Sequence, residues 1–128
     1  MRFLIPYLAT LAAFIVIDLV WLGLIAKTFY RRELGGLMAN PINLPTAVVF
    51  YLIFPIGLVI FAVHPALGNI TRAGQLGAMF GFFAYATYDL TNLATLKNWS
   101  TKLALVDMAW GTVLGGVCAA AGALASSP

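Results

Sequence analysis

Four long apolar stretches dominate the chain, and short segments that carry most of the charged residues separate them. A membrane-spanning helix needs about 20 mainly apolar residues to cross roughly 30 Å of hydrocarbon. The pattern therefore predicts four transmembrane helices, at about residues 3–26, 44–63, 76–95 and 103–124. The expected fold is all-α, a polytopic four-helix bundle formed by one transmembrane domain over residues 1–128.

The composition excludes a soluble domain. The chain is 62% hydrophobic and only 9% charged, whereas soluble domains are about 25% charged. This small number of polar groups cannot cover the surface of a soluble fold. We therefore expect the protein to lie in a lipid bilayer. The basic residues are scattered beside the apolar stretches, so the net charge of +3 does not indicate a nucleic-acid partner.

The basic residues predict the orientation of the chain. Five of the seven lie in the segments that follow the first and third stretches: Lys27, Arg31, Arg32, Lys97 and Lys102. Only Arg2 and Arg72 lie on the opposite side. Because cytoplasmic loops carry an excess of Lys and Arg, both of these basic segments are expected in the cytoplasm, with the N- and C-termini outside.

Three of the four acidic residues, Asp18, Asp89 and Asp107, lie inside the apolar stretches, and we expect the fourth, Glu33, in a loop. A carboxylate in a membrane helix costs roughly 2.5–3.5 kcal/mol on insertion scales. The three residues lie about eight, six and four positions from the cytoplasmic ends of their helices. At about 1.5 Å per residue, they fall roughly 6–12 Å below the same membrane surface, so we expect one cluster there.

Polar neighbours accompany the acid of the third stretch. Tyr85, Asp89 and Asn92 follow the i, i+4, i+7 spacing of one helical face, and Tyr88 and Thr91 lie on the adjoining stripe. This polar arc is too wide to face lipid, so it must face protein or water.

A tryptophan follows each of the other two acids by three residues and shares its helical face: Trp21 after Asp18, and Trp110 after Asp107. Interhelical hydrogen bonds contribute only about 0.6 kcal/mol on average, so three acids at one depth favour a functional cluster over a purely structural role. The predicted cluster consists of Asp18, Trp21, Tyr85, Tyr88, Asp89, Thr91, Asn92, Asp107 and Trp110.

Small residues predict how the last two stretches pack. Gly77 and Gly81 in the third stretch, and Gly111 and Gly115 in the fourth, repeat at an interval of four. This spacing lets two membrane helices approach closely. The segment 29–32, with the sequence FYRR, is expected to anchor the first stretch at the membrane interface.

No sequence motif indicates a cofactor or a metal. The single histidine, His64, lies on the side opposite the acids, and the single cysteine, Cys118, excludes an intrachain disulfide and a multi-thiolate metal site. A nucleotide-binding glycine loop, the sequence H-E-x-x-H and the sequence G-x-S-x-G are all missing.

Several segments resemble a family of uncharacterised bacterial membrane proteins with four predicted spans. They are residues 85–95 (YATYDLTNLAT), Trp99 and residues 106–111 (VDMAWG), with residues 18–23 (DLVWLG), the pair 29–30 and the turn 43–45 supporting them. The signature Y-D-x-T-N-x-A-T is the most specific part, and the resemblance covers nearly the whole chain. It implies a multi-pass protein of the bacterial inner membrane, and it implies no reaction.

Three functions fit these features. The first is proton- or cation-coupled transport of a small solute, which would need a homo-oligomer or a membrane-protein partner because four spans are few for a transport path. The second is a membrane-embedded enzyme that acts on a lipid or isoprenoid, with the acids as general acid and base or as ligands of a divalent cation. The third is a non-catalytic subunit or assembly factor of a larger membrane complex.

Overall fold

The computed structural model describes residues 3–38 and 43–126. These residues form five α-helices and no strand, so the all-α prediction is confirmed: α1 (Leu4–Val20), α2 (Lys27–Leu34), α3 (Leu44–Leu58), α4 (Ile70–Thr95) and α5 (Thr101–Ser126). A π-helical turn extends α1 over Trp21–Ile25, and another extends α3 over Val59–Val63. The described residues do not include Arg2, which was used to predict the orientation, or residues 40–42 and 127–128.

Within residues 3–38 and 43–126, three helical segments are long and apolar enough to cross a membrane: Leu4–Ile25, Leu44–Val63 and Thr101–Ser126. They coincide with the first, second and fourth predicted spans. The third predicted span, 76–95, lies inside α4, which has 26 residues. This helix is long enough to cross a membrane. The polar residues of its C-terminal half lower its mean hydropathy, so it is not one of the three apolar segments.

The outward faces of these segments are apolar. Val16 is 61% exposed, Leu24 80% and Phe61 61%, and each lies on one of the three apolar segments. Exposed side chains of this kind would form a large apolar patch on a soluble protein, whereas a lipid bilayer accommodates them. The chain is therefore a helical membrane protein.

The segment after the first span is helical, and the expectation that Glu33 lies in a loop is wrong. Its Lys, Arg, Glu and Leu residues favour a helix, and α2 forms there. Gly35 follows the last residue of α2 with φ = 53°, a conformation that glycine adopts without steric cost. The short helix brings Tyr30 and Glu33 against α5.

α4 and α5 pack backbone against backbone. A Cβ atom added to Gly81 would lie 2.1 Å from the carbonyl oxygen of Gly111, and one added to Gly77 would lie 2.3 Å from that of Gly115. Only glycine allows this approach. The pairing fixes the register that brings Asp89, near the C-terminus of α4, level with Asp107, near the N-terminus of α5.

The bundle is solid at one end and open at the other. At the end that holds the N-terminal part of α4, the fully buried side chains belong to a core that includes Phe14, Leu58, Leu114 and Cys118. There α3 reaches α4 through Phe54, whose ring centroid is 5.5 Å from that of Phe80, and through its π-helical turn. Towards the N-terminus of α3 the two helices diverge, which leaves a gap.

Candidate functional site

A cavity of about 360 Å³ occupies this gap, next to α2. Binding pockets for small organic molecules have volumes of about 300–1,000 Å³, so the cavity has room for such a ligand. All five helices or their extensions contribute to its lining, which consists of Asp18, Leu22, Tyr30, Phe50, Tyr51, Ala84, Tyr85, Tyr88, Asp107 and Trp110. No lysine, arginine or histidine lines it in the described part of the chain.

Asp18 on α1 is buried and has a donor for each carboxyl oxygen. The hydroxyl of Tyr51 on α3 donates to Oδ2. The indole N–H of Trp110 on α5 donates to Oδ1 over 3.0 Å. The two donors come from two other helices, so the position of this carboxyl group depends on the packing of the whole bundle.

Asp107 on α5 receives its hydrogen bond from α2. The hydroxyl of Tyr30 donates to Oδ1 over 2.7 Å, and the indole N–H of Trp21 donates to that hydroxyl oxygen over 3.2 Å. The ring of Trp21 also stacks on that of Trp110, with centroids 4.3 Å apart and planes 9° from parallel. Two hydrogen-bonded acids are thus joined through a pair of stacked indoles.

Asp89 on α4 is fully buried, and no donor in the described residues reaches either of its carboxyl oxygens. The carboxyl group of Asp107 lies within hydrogen-bonding reach. Two ionised carboxylates present only acceptors to each other, so they cannot bond unless a proton lies between them. A buried polar group without a partner is rare in proteins and marks Asp89 for a functional explanation.

Tyr30 is a neutral donor in this network. Burial, and next the negative charge of Asp107, raise the pKa of its phenol well above the ordinary value of 10. The hydroxyl therefore keeps its proton at every physiological pH and holds Asp107 from the α2 side.

A second contact holds α2 against the start of α5. The hydroxyl of Ser100 donates a hydrogen bond to Glu33 Oε1 over 2.5 Å. The same hydroxyl oxygen accepts a hydrogen bond from the backbone N–H of Leu103 over 3.0 Å, so Ser100 caps the N-terminus of α5. The hydrogen bond from Ser100 is the main cause that lowers the pKa of Glu33 below 4.5. Arg32 lies 3.5 Å from the same carboxylate and adds to this shift. These contacts keep α2 across one end of the cavity.

The structure brings six of the nine predicted site residues to the cavity or its hydrogen-bond network: Asp18, Trp21, Tyr85, Tyr88, Asp107 and Trp110. Asp89 lies outside the lining, next to Asp107. Thr91 does not join them. It lies on the exposed face of α4, and its hydroxyl donates to the carbonyl groups of Thr87 and Tyr88 in its own helix. Asn92 is half-buried one turn from Asp89 and does not line the cavity.

Two tyrosines of the site were not predicted. Tyr51 is the only tyrosine in the second apolar stretch, and a hydroxyl in hydrocarbon needs a partner, so its type and place gave a signal. Tyr30 was expected only to anchor the chain at the interface, whereas it contacts Asp107. No feature of the sequence predicted that α2 packs against α5.

Two reactive residue types lie away from the cavity. Cys118 is fully buried in the solid part of the bundle, and His64 lies beyond the π-helical turn that extends α3. In residues 3–38 and 43–126, no group of three or more His, Cys, Asp or Glu side chains is arranged to hold a metal ion.

Comparison with known proteins agrees with the resemblance found in the sequence. No curated protein and no solved structure is detectably similar to this chain. A family model with the description "Predicted membrane protein (DUF2177)" matches residues 3–124, which is nearly the whole sequence. The chain therefore belongs to this family of membrane proteins of unknown function.

Proposed function

We propose that this protein is a small transporter of a bacterial inner membrane, coupled to protons or cations through Asp18, Asp89 and Asp107. The observation that carries the proposal is that two carboxyl groups, Asp18 and Asp107, line a cavity without a basic side chain, while a third, Asp89, lies buried next to Asp107. A buried ion without a counter-charge costs several kcal/mol. The site must therefore hold protons or take up a cation, and exchange between these two states is how intramembrane acids couple transport.

The proposed topology has four spans in a single domain, with α4 as the third. The glycine contacts with α5 hold α4 against the bundle, and Tyr85 on α4 lines the cavity. We propose that α2 and the connection between α4 and α5 lie in the cytoplasm, because these segments carry five of the seven basic residues. The cavity then lies on the cytoplasmic side, with both termini outside.

A complete transport path needs more than one chain. Beyond the cavity, the bundle is filled by side chains such as Phe14 and Leu58, which are fully buried. We therefore propose that a second copy or another membrane protein completes the path. Alternating access would then open the same site to the other surface.

Flux measurements in vesicles test this function. Purified protein is reconstituted into liposomes that contain a pH-sensitive dye, and proton movement is recorded under an imposed membrane potential, with and without added small solutes. We expect protein-dependent proton flux, and we expect its loss in Asp89→Asn. Thr87→Val is the matched control, because Thr87 lies on the exposed face of the same helix and bonds only to its own backbone.

The folded state of each variant is checked by the protection of Cys118 from a maleimide, since this thiol is fully buried. Absence of flux from the natural protein contradicts the proposal. Unchanged flux in a folded Asp89→Asn variant contradicts it as well.

One observation favours a second function, that of an enzyme acting on a lipid. Two lining residues, Phe50 on α3 and Tyr88 on α4, are exposed on the surface of the bundle, so we propose that the cavity opens towards lipid between these helices. A lipid could place its reacting group against Asp18 and Asp107, which would act as general base and acid. Mass spectrometry of vesicle lipids after incubation distinguishes this function, because it requires a new lipid product that Asp107→Asn does not form.

A further inference from the structure

We infer that the cavity binds an organic cation with an apolar body, which enters from the bilayer between α3 and α4. The inference rests on the proposed transport function and names the class of its substrate. It follows from three independent properties of the cavity, namely its charge, its walls and the position of its opening.

The charge of the cavity selects a cation. Asp18 and Asp107 line it directly, Asp89 lies against Asp107, and no basic side chain lines it in the described residues. An anion would meet uncompensated like charge, and a neutral molecule would leave the negative charge of the carboxylates unbalanced. A cation balances this charge without a basic side chain of the protein.

The walls select an organic cation. Phe50, Tyr51, Tyr85, Tyr88 and Trp110 surround the acids with aromatic rings. Aromatic faces attract cations such as alkylammonium groups and also pack against hydrocarbon. Hard metal ions instead prefer six or more oxygen ligands at close range, which a cavity of about 360 Å³ with mainly aromatic walls does not offer.

The opening selects a ligand that dissolves in the membrane. Three lining residues have exposed side chains: Leu22 at 41%, Phe50 at 42% and Tyr88 at 54%. Because Phe50 lies on α3 and Tyr88 on α4, we infer that the cavity opens towards lipid between these two helices. On the side of the basic segments, α2 crosses the end of the cavity and is held there by Tyr30 and Glu33. A cation with an apolar body partitions into the bilayer and can reach the acids through this lateral gap.

Proton and cation should compete for the same carboxyl groups. The titratable groups around the cavity, in order from α1 to α5, are Asp18, Tyr30, Tyr51, Tyr85, Tyr88, Asp89 and Asp107. The tyrosines are neutral at physiological pH and the acids are the groups that exchange protons. Cation binding should therefore release protons and strengthen as the pH rises.

A matched pair of probes tests the inference. Phenyltrimethylammonium is a cation, and tert-butylbenzene is its neutral isostere, with the same shape and apolar surface. Binding of each to the full-length protein in micelles is followed by tryptophan fluorescence, because Trp110 lines the cavity and stacks on Trp21. We expect saturable binding of the cation at least tenfold tighter than that of the isostere, with an affinity that rises with pH.

Calorimetry of the cation in buffers with different ionisation enthalpies should detect proton release. Asp18→Asn should weaken cation binding at least tenfold, and Phe50→Ala should weaken it without changing proton release. Thr87→Val should bind as the natural protein does, and protection of Cys118 shows that each variant is folded.

The inference is overturned if the isostere binds as tightly as the cation, or if a folded Asp18→Asn variant binds the cation normally. The two proposals fail separately. Proton flux in vesicles without cation binding would reject this substrate class and leave the transport function standing, whereas cation binding without flux would support the site and reject transport.

Discussion

Replacing Gly81 by alanine should force α4 and α5 apart. The added Cβ would lie 2.1 Å from the carbonyl oxygen of Gly111, whereas an ordinary contact begins at 3.4 Å. The conflicting atom belongs to the backbone of α5 and cannot rotate away. The two helices must therefore separate by more than an ångström along the stretch that aligns Asp89 with Asp107.

The expected loss of stability is about 1–3 kcal/mol, the usual cost of one extra carbon in a well-packed contact. Gly74→Ala is the matched control, because it makes the same change in the same helix. There the new Cβ would lie 3.7 Å from the carbonyl oxygen of Gly116, which is an ordinary contact. This variant should lose no stability and could gain up to about 1 kcal/mol from the higher helix propensity of alanine.

The assay is equilibrium unfolding in mixed micelles with increasing sodium dodecyl sulfate, followed by circular dichroism and by maleimide labelling of Cys118. If Gly81→Ala unfolds at the same detergent fraction as the natural protein, the backbone contact between α4 and α5 does not hold the bundle together. Equal destabilisation of Gly81→Ala and Gly74→Ala would also contradict the reasoning, since the control has room for its methyl group.

Three further predictions concern single groups. Tyr51→Phe should lower the free energy of unfolding by about 1 kcal/mol, because one oxygen of Asp18 loses its donor, and the same micelle titration would show no change if the hydroxyl were dispensable. In Ser100→Ala, the pKa of Glu33 should rise towards 4.5. The natural contact stabilises the fold at neutral pH, and this stabilisation is lost as the pH falls through the lowered pKa. The carboxyl resonance of Glu33 measures the pKa by NMR, and equal titration in both proteins refutes the prediction. Cys118 should react with a maleimide only after unfolding, and rapid labelling of the folded protein would contradict its complete burial.

The sequence contains most of the information about the helices. Apolar stretches of about 20 residues predict α1, α3 and α5 because hydrocarbon leaves a chain no alternative to internal hydrogen bonding. It gives less about α4, whose polar arc serves the cavity and therefore weakens the apolar signal. It gives nothing about the position of α2, since a short charged helix carries no mark of the surface on which it packs.

The site shows the same division. The predicted depths of Asp18, Asp89 and Asp107 follow from counting residues along straight helices. In the structure Asp18 and Asp107 line the cavity, and Asp89 lies next to Asp107. The place of Thr91 could not be counted in this way, because a threonine hydroxyl can bond to the carbonyl group one turn earlier as readily as to a neighbouring helix. Which residues donate to the acids depends on interhelical distances, which no single sequence specifies.

The donors of Asp18 have a consequence for biosynthesis. Tyr51 follows this acid by 33 residues and Trp110 by 92. At about 5–20 residues per second, a ribosome makes them about 2–7 s and about 5–18 s later, respectively. The first helix is therefore complete before Tyr51 and Trp110 can donate hydrogen bonds to Asp18. Insertion in the neutral form, with the proton retained until the later helices arrive, spares the nascent chain the penalty of an exposed charge.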